Sequence, residues 1–135
     1  MADVTVILVS AAALVDGEGR VLLAQRPVGK NLAGYWEFPG GKLEAGEAPE
    51  DALIRELNEE LGITVARNDL EPLTFASHSY DKFHLLMPLF LCWRWQGPVV
   101  AREHSALEWV APDRLMDYAL APADIPLVPQ LRARL

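Results

Sequence analysis

The sequence predicts an α/β or α+β sandwich that combines a mixed sheet with few helices. Three observations lead to this expectation: several short apolar segments resemble strands, one long segment has strong helix signals, and no repeat or linker divides the 135 residues. We therefore expect a single domain over residues 1–135, which is long enough to bury a sizeable core.

The first part of the chain contains two predicted strands and a loop. Residues 4–15 are apolar on both faces and rich in Val and Ala, which is typical of a central strand. An Asp-Gly turn leads to a second strand over Val21–Arg26. The loop Pro27–Gly34 precedes a short extended segment, Tyr35–Phe38, which stops at Pro39-Gly40-Gly41.

Glu47–Leu61 is the clearest predicted helix. It contains strong helix formers, Pro49 in its first turn and Gly62 just beyond its end. Beyond it we expect strands and then two short helices. The predicted strands are 63–65, 73–80, 83–95 and 106–110, and the predicted helices are 112–118 and 123–135.

Composition and charge exclude several classes of protein. The net charge of −7 disfavours binding to a nucleic-acid polymer, whose phosphates would repel an acidic chain. No run reaches the roughly 18 apolar residues of a membrane helix, and no basic residue precedes the apolar segment 4–15 as in a signal peptide. With one cysteine, Cys92, nothing indicates an oxidising compartment. We expect a cytoplasmic protein, and a monomer because no apolar surface stripe stands out.

Three carboxylates of the predicted helix share one stripe. Glu56, Glu59 and Glu60 are three and four residues apart, beside a stripe formed by Leu53, Leu57 and Leu61. Two such carboxylates about 4 Å apart repel each other by roughly 4 kcal/mol at an effective dielectric constant near 20. A hard cation such as Mg²⁺ or Mn²⁺ relieves this repulsion. A solvated acidic helix face is the alternative interpretation.

The residues around this helix resemble the Nudix box. The pattern fixes nine positions across 23 residues, and all of them match: Gly41, Glu47, Arg55-Glu56-Leu57, Glu59-Glu60, Gly62 and Ile63. The resemblance implies an α/β/α sandwich with a mixed sheet, in which the box forms a loop–helix–loop motif that binds divalent cations and a diphosphate. It also implies hydrolysis of a nucleoside triphosphate to a monophosphate and pyrophosphate.

The resemblance assigns roles by position. Glu56, Glu59 and Glu60 would be metal ligands, with Glu56 or Glu59 also taking part in catalysis, and the Gly40 carbonyl is a further ligand. Arg55 would orient the carboxylates. Gly41, Glu47 and Gly62 would be structural, or in the case of Gly41 and Glu47 part of the outer metal shell.

A wider part of the chain is similar to the MutT-type branch, which includes enzymes that remove oxidised guanine nucleotides. The similarity covers 22–26, 35–41 and 94–97, together with Glu103 and Glu108-Trp109. It implies that Glu103 is an extra metal ligand or the general base; a solvated loop glutamate is the alternative. Arg26, Trp36, Phe38 and Asp124 are the candidate substrate-binding residues, whereas His78, His84 and His104 receive no catalytic role.

The choice of base depends on Asp124. An ionised Asp only accepts hydrogen bonds, which suits the two adjacent donors of guanine. The segment 120–126, however, also resembles relatives that hydrolyse CTP. We therefore expect an 8-oxo-dGTP diphosphatase, with CTP or another pyrimidine triphosphate as the alternative substrate. A binding module without turnover is a third hypothesis, which the three intact glutamates oppose.

Overall fold

A computed structural model of the protein describes residues 4–135. The expectation about a signal peptide depends on residues 1–3, which lie outside this range. Its seven strands are β1 Val6–Leu14, β2 Val21–Gln25, β3 Trp36–Glu37, β4 Gly40–Lys42, β5 Leu70–Ser79, β6 His84–Cys92 and β7 Ala106–Val110. Two α-helices are present in the described range, α1 Pro49–Leu61 and α2 Val128–Arg134.

The strands form two sheets. The larger is mixed and has the order β4-β1-β6-β5, with β1 parallel to β6 and the other pairs antiparallel. The smaller has the order β3-β2-β7 and is antiparallel. The predicted position of the first strand in the centre of a sheet is confirmed, because β1 lies between β4 and β6.

Alternate residues of β1 contribute to two cores. Ala11 and Ala13 lie in the core that includes Leu131 of α2, whereas Ala12 and Leu14 lie in the core that includes the helix α1. Successive residues of a strand point to opposite faces, so β1 must be apolar on both. Three leucines of α1, predicted as its buried stripe, are fully buried: Leu53, Leu57 and Leu61.

Two boundaries near the motif differ from the prediction. Helix α1 begins at Pro49, which leaves Glu47 in the preceding loop, where its carboxylate accepts a hydrogen bond from the Glu44 N–H. Gly40–Lys42, expected to end the extended segment, instead forms β4 beside β1. Glycine allows this approach: a Cβ at Gly40, where φ is 155°, would overlap the Ser10 carbonyl oxygen.

The predicted helix 123–135 is broken. A 3₁₀ turn, Ile125–Leu127, precedes α2, and Leu127 N–H bonds to the Asp124 carbonyl three residues back. Pro126 and Pro129 lack an N–H, so a continuous α-helical ladder cannot form here. The segment Pro112–Asp117 is also 3₁₀, and the expected strand 63–65 is reduced to one bridge between Thr64 and Gln96.

One outer sheet face exposes apolar side chains. Val6 is 54% exposed, Leu8 42% and Phe75 63%. The register places Leu8 and Ser77 on either side of Leu86, with Phe75 beside Pro88. The premise that no apolar surface stripe is present is therefore wrong. Within residues 4–135, neither helix has the length and apolar character required to span a bilayer.

Candidate active site

Helix α1 exposes its three glutamates to different degrees. The Glu60 side chain is 4% exposed and that of Glu56 18%, whereas that of Glu59 is 50% exposed. The three share a stripe, but the stripe turns from the core towards solvent. Glu60 therefore has the most shielded carboxyl group, and Glu59 the most hydrated one.

Arg55 connects the helix to the preceding loop. Its Nε and Nη2 donate to the two Glu47 carboxylate oxygens at 2.8 and 2.9 Å, and Nη2 also donates to the Lys42 carbonyl. Its Nη1 donates to Glu56 at 2.8 Å and to Glu59 at 3.4 Å. A planar guanidinium can make these bonds at once, whereas an ammonium cannot. The hydrogen bonds from Arg55 lower the pKa of Glu47 to about 2.

Gly41 leaves room for Glu56. A Cβ at Gly41 would lie 2.6 Å from the Glu56 Oε2 atom, which is closer than van der Waals contact allows. The absence of a side chain at this position therefore fixes where the Glu56 carboxylate can lie. Gly62 ends the helix with a left-handed φ of 73°, and its N–H bonds to the Asn58 carbonyl.

Carboxylates from three elements meet in one cavity, which we call the acidic cavity. It has a volume of about 150 Å³. Its lining residues are Arg26, Pro27, Lys30, Glu37, Gly40, Glu56, Glu60, Glu103 and His104. The structure thus brings four of the predicted metal-site residues together, namely Gly40, Glu56, Glu60 and Glu103, and leaves Glu59 outside the lining, beside Arg55.

The carboxylates of the acidic cavity do not converge on a single point. Within residues 4–135, no three His, Cys, Asp or Glu side chains converge closely enough to hold an ion as they stand. Arg55 holds Glu56 through a hydrogen bond. Burial, interaction with Glu56 and the charges of Glu37 and Glu103 raise the pKa of Glu60 to about 10. The Glu60 carboxyl group therefore favours its protonated form at neutral pH as long as no cation offsets these charges.

Sequence reasoning missed Glu37 and His104. Glu37 accepts from Arg26 Nη1 at 2.9 Å through one oxygen and lies 3.0 Å from His104 Nε2 through the other. Glu37 follows Trp36 and precedes buried Phe38, so the alternation of the strand was a usable signal. His104 had only its position next to Glu103 as a signal.

A larger cavity of about 310 Å³ adjoins this network, and we call it the larger cavity. Arg26 and Glu37 line both cavities. The larger one is otherwise lined mainly by apolar side chains, such as Met87 and Leu85. Its other polar lining residues are Asn31, Lys42, Tyr80 and Asp124. A mostly apolar wall with a few polar groups is typical of a pocket for an organic ring.

Asp124 is buried in the wall of the larger cavity, with 4% of its surface exposed. Its Oδ1 accepts a hydrogen bond from the Phe38 N–H at 3.2 Å. Burial raises its pKa to about 8, and the charge of Glu37 adds to the rise, while the Phe38 N–H and Arg26 act against it. The predicted ionised state of Asp124 is therefore wrong, because a pKa of about 8 favours the neutral acid at pH 7.

The aromatic candidates Trp36 and Phe38 lie elsewhere. Phe38 is 3% exposed and belongs to the core, and only its backbone N–H contacts Asp124. Trp36 packs against the same core and makes an edge contact with Tyr118 at 5.2 Å between ring centroids. Neither is among the residues that line the larger cavity. Both belong to the same core as Met87 and Ala123, which line the larger cavity.

Comparisons with known proteins identify the family of the chain. A family model described as NUDIX domain matches residues 10–130. The chain is 42% identical over 120 residues to the CTP pyrophosphohydrolase of Escherichia coli strain K12, which covers 87% of this chain and 85% of the relative. It is 38% identical over 105 residues to the 8-oxo-dGTP diphosphatase of Proteus vulgaris, which covers 78% of this chain and 92% of the relative.

Comparison with solved structures also points to the Nudix fold. A MutT Nudix hydrolase from Burkholderia pseudomallei superposes with a TM-score of 0.83 at 33% identity, covering 93% of this chain and 98% of that one. The predicted fold class and the family resemblance are both confirmed by these matches. The chain belongs to the Nudix hydrolase family.

Proposed function

We propose that this chain is a magnesium-dependent pyrophosphohydrolase that converts a nucleoside triphosphate to a nucleoside monophosphate and pyrophosphate. The observation that carries the proposal is the pair of adjoining cavities, one lined by Glu56, Glu60 and Glu103 and one largely apolar. Their junction at Arg26 and Glu37 suits a substrate with a phosphate chain at one end and a base at the other.

The acidic cavity fits a hard divalent cation. Its donors are carboxylate oxygens and a backbone carbonyl, which Mg²⁺ and Mn²⁺ prefer. The raised pKa of Glu60 reflects repulsion among these carboxylates, which a cation would relieve and which supports this assignment. Hydrolases of this family use divalent metal ions. We assign Glu56, Glu60, Glu103 and the Gly40 carbonyl to Mg²⁺, with Glu59 joining them from the same helix stripe.

When bound, the ion would neutralise phosphate oxygens and lower the pKa of a water molecule. The protein supplies the geometry. Arg55 donates hydrogen bonds to both Glu47 and Glu56, and it thereby keeps the Glu56 carboxylate directed at the acidic cavity. Glu59 or Glu103 accepts the proton of the attacking water. Arg26, at the junction, faces the phosphate chain with a positive charge, which a chain of net charge −7 needs beside a polyanion.

We propose 8-oxo-dGTP as the preferred substrate. A neutral Asp124 presents an O–H donor beside a carbonyl acceptor. The oxidised guanine edge offers the matching pair, N7–H beside O6, whereas unmodified guanine offers two acceptors there. Relatives named 8-oxo-dGTP diphosphatase support this assignment. The cellular role would then be removal of oxidised nucleotides in the cytoplasm before they enter DNA.

CTP is the second candidate, and one observation favours it. Cytosine presents N3 as an acceptor beside the N4 amino donor, which also pairs with a neutral Asp124. The relative that is 42% identical is named CTP pyrophosphohydrolase. A neutral Asp124 therefore suits cytosine better than an ionised Asp124 would.

A panel of nucleoside triphosphates with Mg²⁺, assayed separately for pyrophosphate and orthophosphate, tests the proposal. We expect pyrophosphate release, with 8-oxo-dGTP giving the highest kcat/KM, and no turnover in EDTA. No hydrolysis of any member would refute the enzymatic function. Higher kcat/KM for CTP than for 8-oxo-dGTP would transfer the substrate assignment. Asp124→Ala should alter the ratio between these two substrates more than it alters the rate on the better one.

A further inference from the structure

His104 is held between the helix and the smaller sheet. The loop that carries it is fixed by Arg102 N–H to the Glu60 carbonyl at 3.0 Å, and by Ser105 N–H to the Gln25 carbonyl at 3.0 Å. Its side chain is 4% exposed, so the ring has little freedom to move. A histidine fixed from both sides in this way can act as a spacer.

The ring directs one nitrogen at two carboxyl groups. His104 Nε2 lies 3.0 Å from Glu37 Oε2 and 3.5 Å from Glu60 Oε1. Its buried Nδ1 has no hydrogen-bond partner among the described residues. Nε2 is therefore the ring nitrogen placed to donate to the carboxyl groups, because Nδ1 faces no acceptor in the described part of the chain.

We propose that His104 is a positioning residue, which holds Glu37 and Glu60 at a fixed separation and thereby joins the Arg26–Glu37 pair to the acidic end of helix α1. The proposal rests on the proposed function, because it takes Glu60 as a metal-binding carboxylate. Partners that orient ligand side chains affect metal affinity or activity by about 10- to 100-fold when they are removed.

Binding of Mn²⁺ to the protein without nucleotide, followed by the electron paramagnetic resonance signal of the free ion, tests this role. His104→Leu keeps a similar volume but has no donor, and we expect it to weaken Mn²⁺ binding by about 10-fold or more. His104→Gln keeps an N–H donor at similar reach and should restore most of the affinity. His84→Ala, on the outer sheet face beside Ser77 and Ser79, is the matched histidine control.

The kinetic effect should fall on kcat. His104 lines the acidic cavity and not the larger one, so at saturating Mg²⁺ His104→Leu should reduce kcat by about 10-fold or more, with a smaller change in KM for the nucleotide. In the wild-type protein, a long-range proton–nitrogen correlation spectrum of the imidazole should show the proton on Nε2. An Nε2 that carries no proton would overturn the proposal, whether or not His104→Leu folds.

Glu60→Gln distinguishes failure of the proposed metal site from failure of the positioning role of His104. If Glu60→Gln leaves Mn²⁺ binding unchanged, the proposed metal site is refuted. If Glu60→Gln weakens binding but His104→Leu and the shorter His104→Asn do not, the positioning role alone is refuted. Equal loss in His104→Leu and His104→Gln would also count against it, because the donor would then be irrelevant.

Discussion

Asp124 shows at the scale of one residue how burial changes what a side chain offers. A carboxylate in water would present two acceptors, whereas this one lies against Phe38 N–H with almost no solvent contact. The loss of hydration raises its pKa to about 8, so it becomes a donor and an acceptor. The residue predicted to read the base is thus placed in the larger cavity, in the opposite protonation state from the one expected.

The protonation of Asp124 should make stability depend on pH. Its pKa is raised from 3.8 to about 8 on folding, so the folded protein keeps a proton that the unfolded chain releases between these values. The contribution of Asp124 to the free energy of unfolding should therefore be highest below pH 4 and fall as pH rises towards 8, by at most about 1.4 kcal/mol per pH unit.

Asp124→Asn provides the comparison, because the neutral amide cannot titrate. Denaturant unfolding of both proteins without metal, from about pH 5 to about pH 8, should show that the wild type loses more stability than the variant. Glu60 titrates in both proteins, so its contribution cancels in the difference. A difference that does not change with pH would show that Asp124 is ionised throughout.

Gly41 is the second residue with a testable consequence. An added Cβ meets only the end of the flexible Glu56 side chain, so Gly41→Ala should fold with a melting temperature close to that of the wild type. The displaced carboxylate should reduce kcat by about 10-fold or more, because a catalytic group is then misplaced. Gly17→Ala is the control, since nothing lies within 4 Å of a Cβ there. Normal activity of Gly41→Ala would show that Glu56 tolerates displacement.

At the scale of the element, α1 distributes like charges between core and solvent. The leucine stripe fixes the rotation of the helix. This rotation, together with the loop that carries His104 against Glu60, leaves Glu60 buried, Glu56 half-buried and Glu59 exposed. The same residue type therefore has three different environments within five positions. Spacing predicted the shared stripe, but the degree of burial needed the three-dimensional packing.

Replacing each glutamate in turn should separate their roles. Glu59→Gln should reduce turnover by at least about 100-fold if Glu59 binds the catalytic metal or acts as the base. Glu50→Gln, on the same helix and outside the acidic cavity, should leave kcat unchanged. If Glu59→Gln retains near-normal activity while Glu103→Gln does not, the base is Glu103, which already lines the cavity.

At the scale of the whole molecule, metal binding should stabilise the fold. An ion present at a hundred times its Kd adds about 2.7 kcal/mol to the free energy of unfolding. Glu60, whose pKa is raised to about 10, must release its proton to become a ligand. The rise in melting temperature caused by Mg²⁺ should therefore be larger near pH 8 than near pH 6. Sodium chloride at the same ionic strength is the control, and an equal rise at both pH values would exclude this proton release.

The sequence predicted the parts of this molecule that depend on local pattern. The central strand, the helix of the box and its buried leucines follow from periodicity, and the family follows from the spacing of nine residues. The strand Gly40–Lys42 was missed because glycine has a low strand preference, and only the approach of Ser10 reveals its partner. His104 and Glu37 are 67 residues apart, and no local rule predicts such a contact.

Arg26 and Glu37 line both cavities and are bonded to each other. Under the proposed function, selection of the base and cleavage of the phosphate chain depend on these same two side chains. A substitution of the pair that admits a new base is then expected to change the rate of cleavage for every substrate. Specificity alone is better adjusted at residues that line the larger cavity and not the acidic cavity, such as Tyr80, Met87 and Leu85.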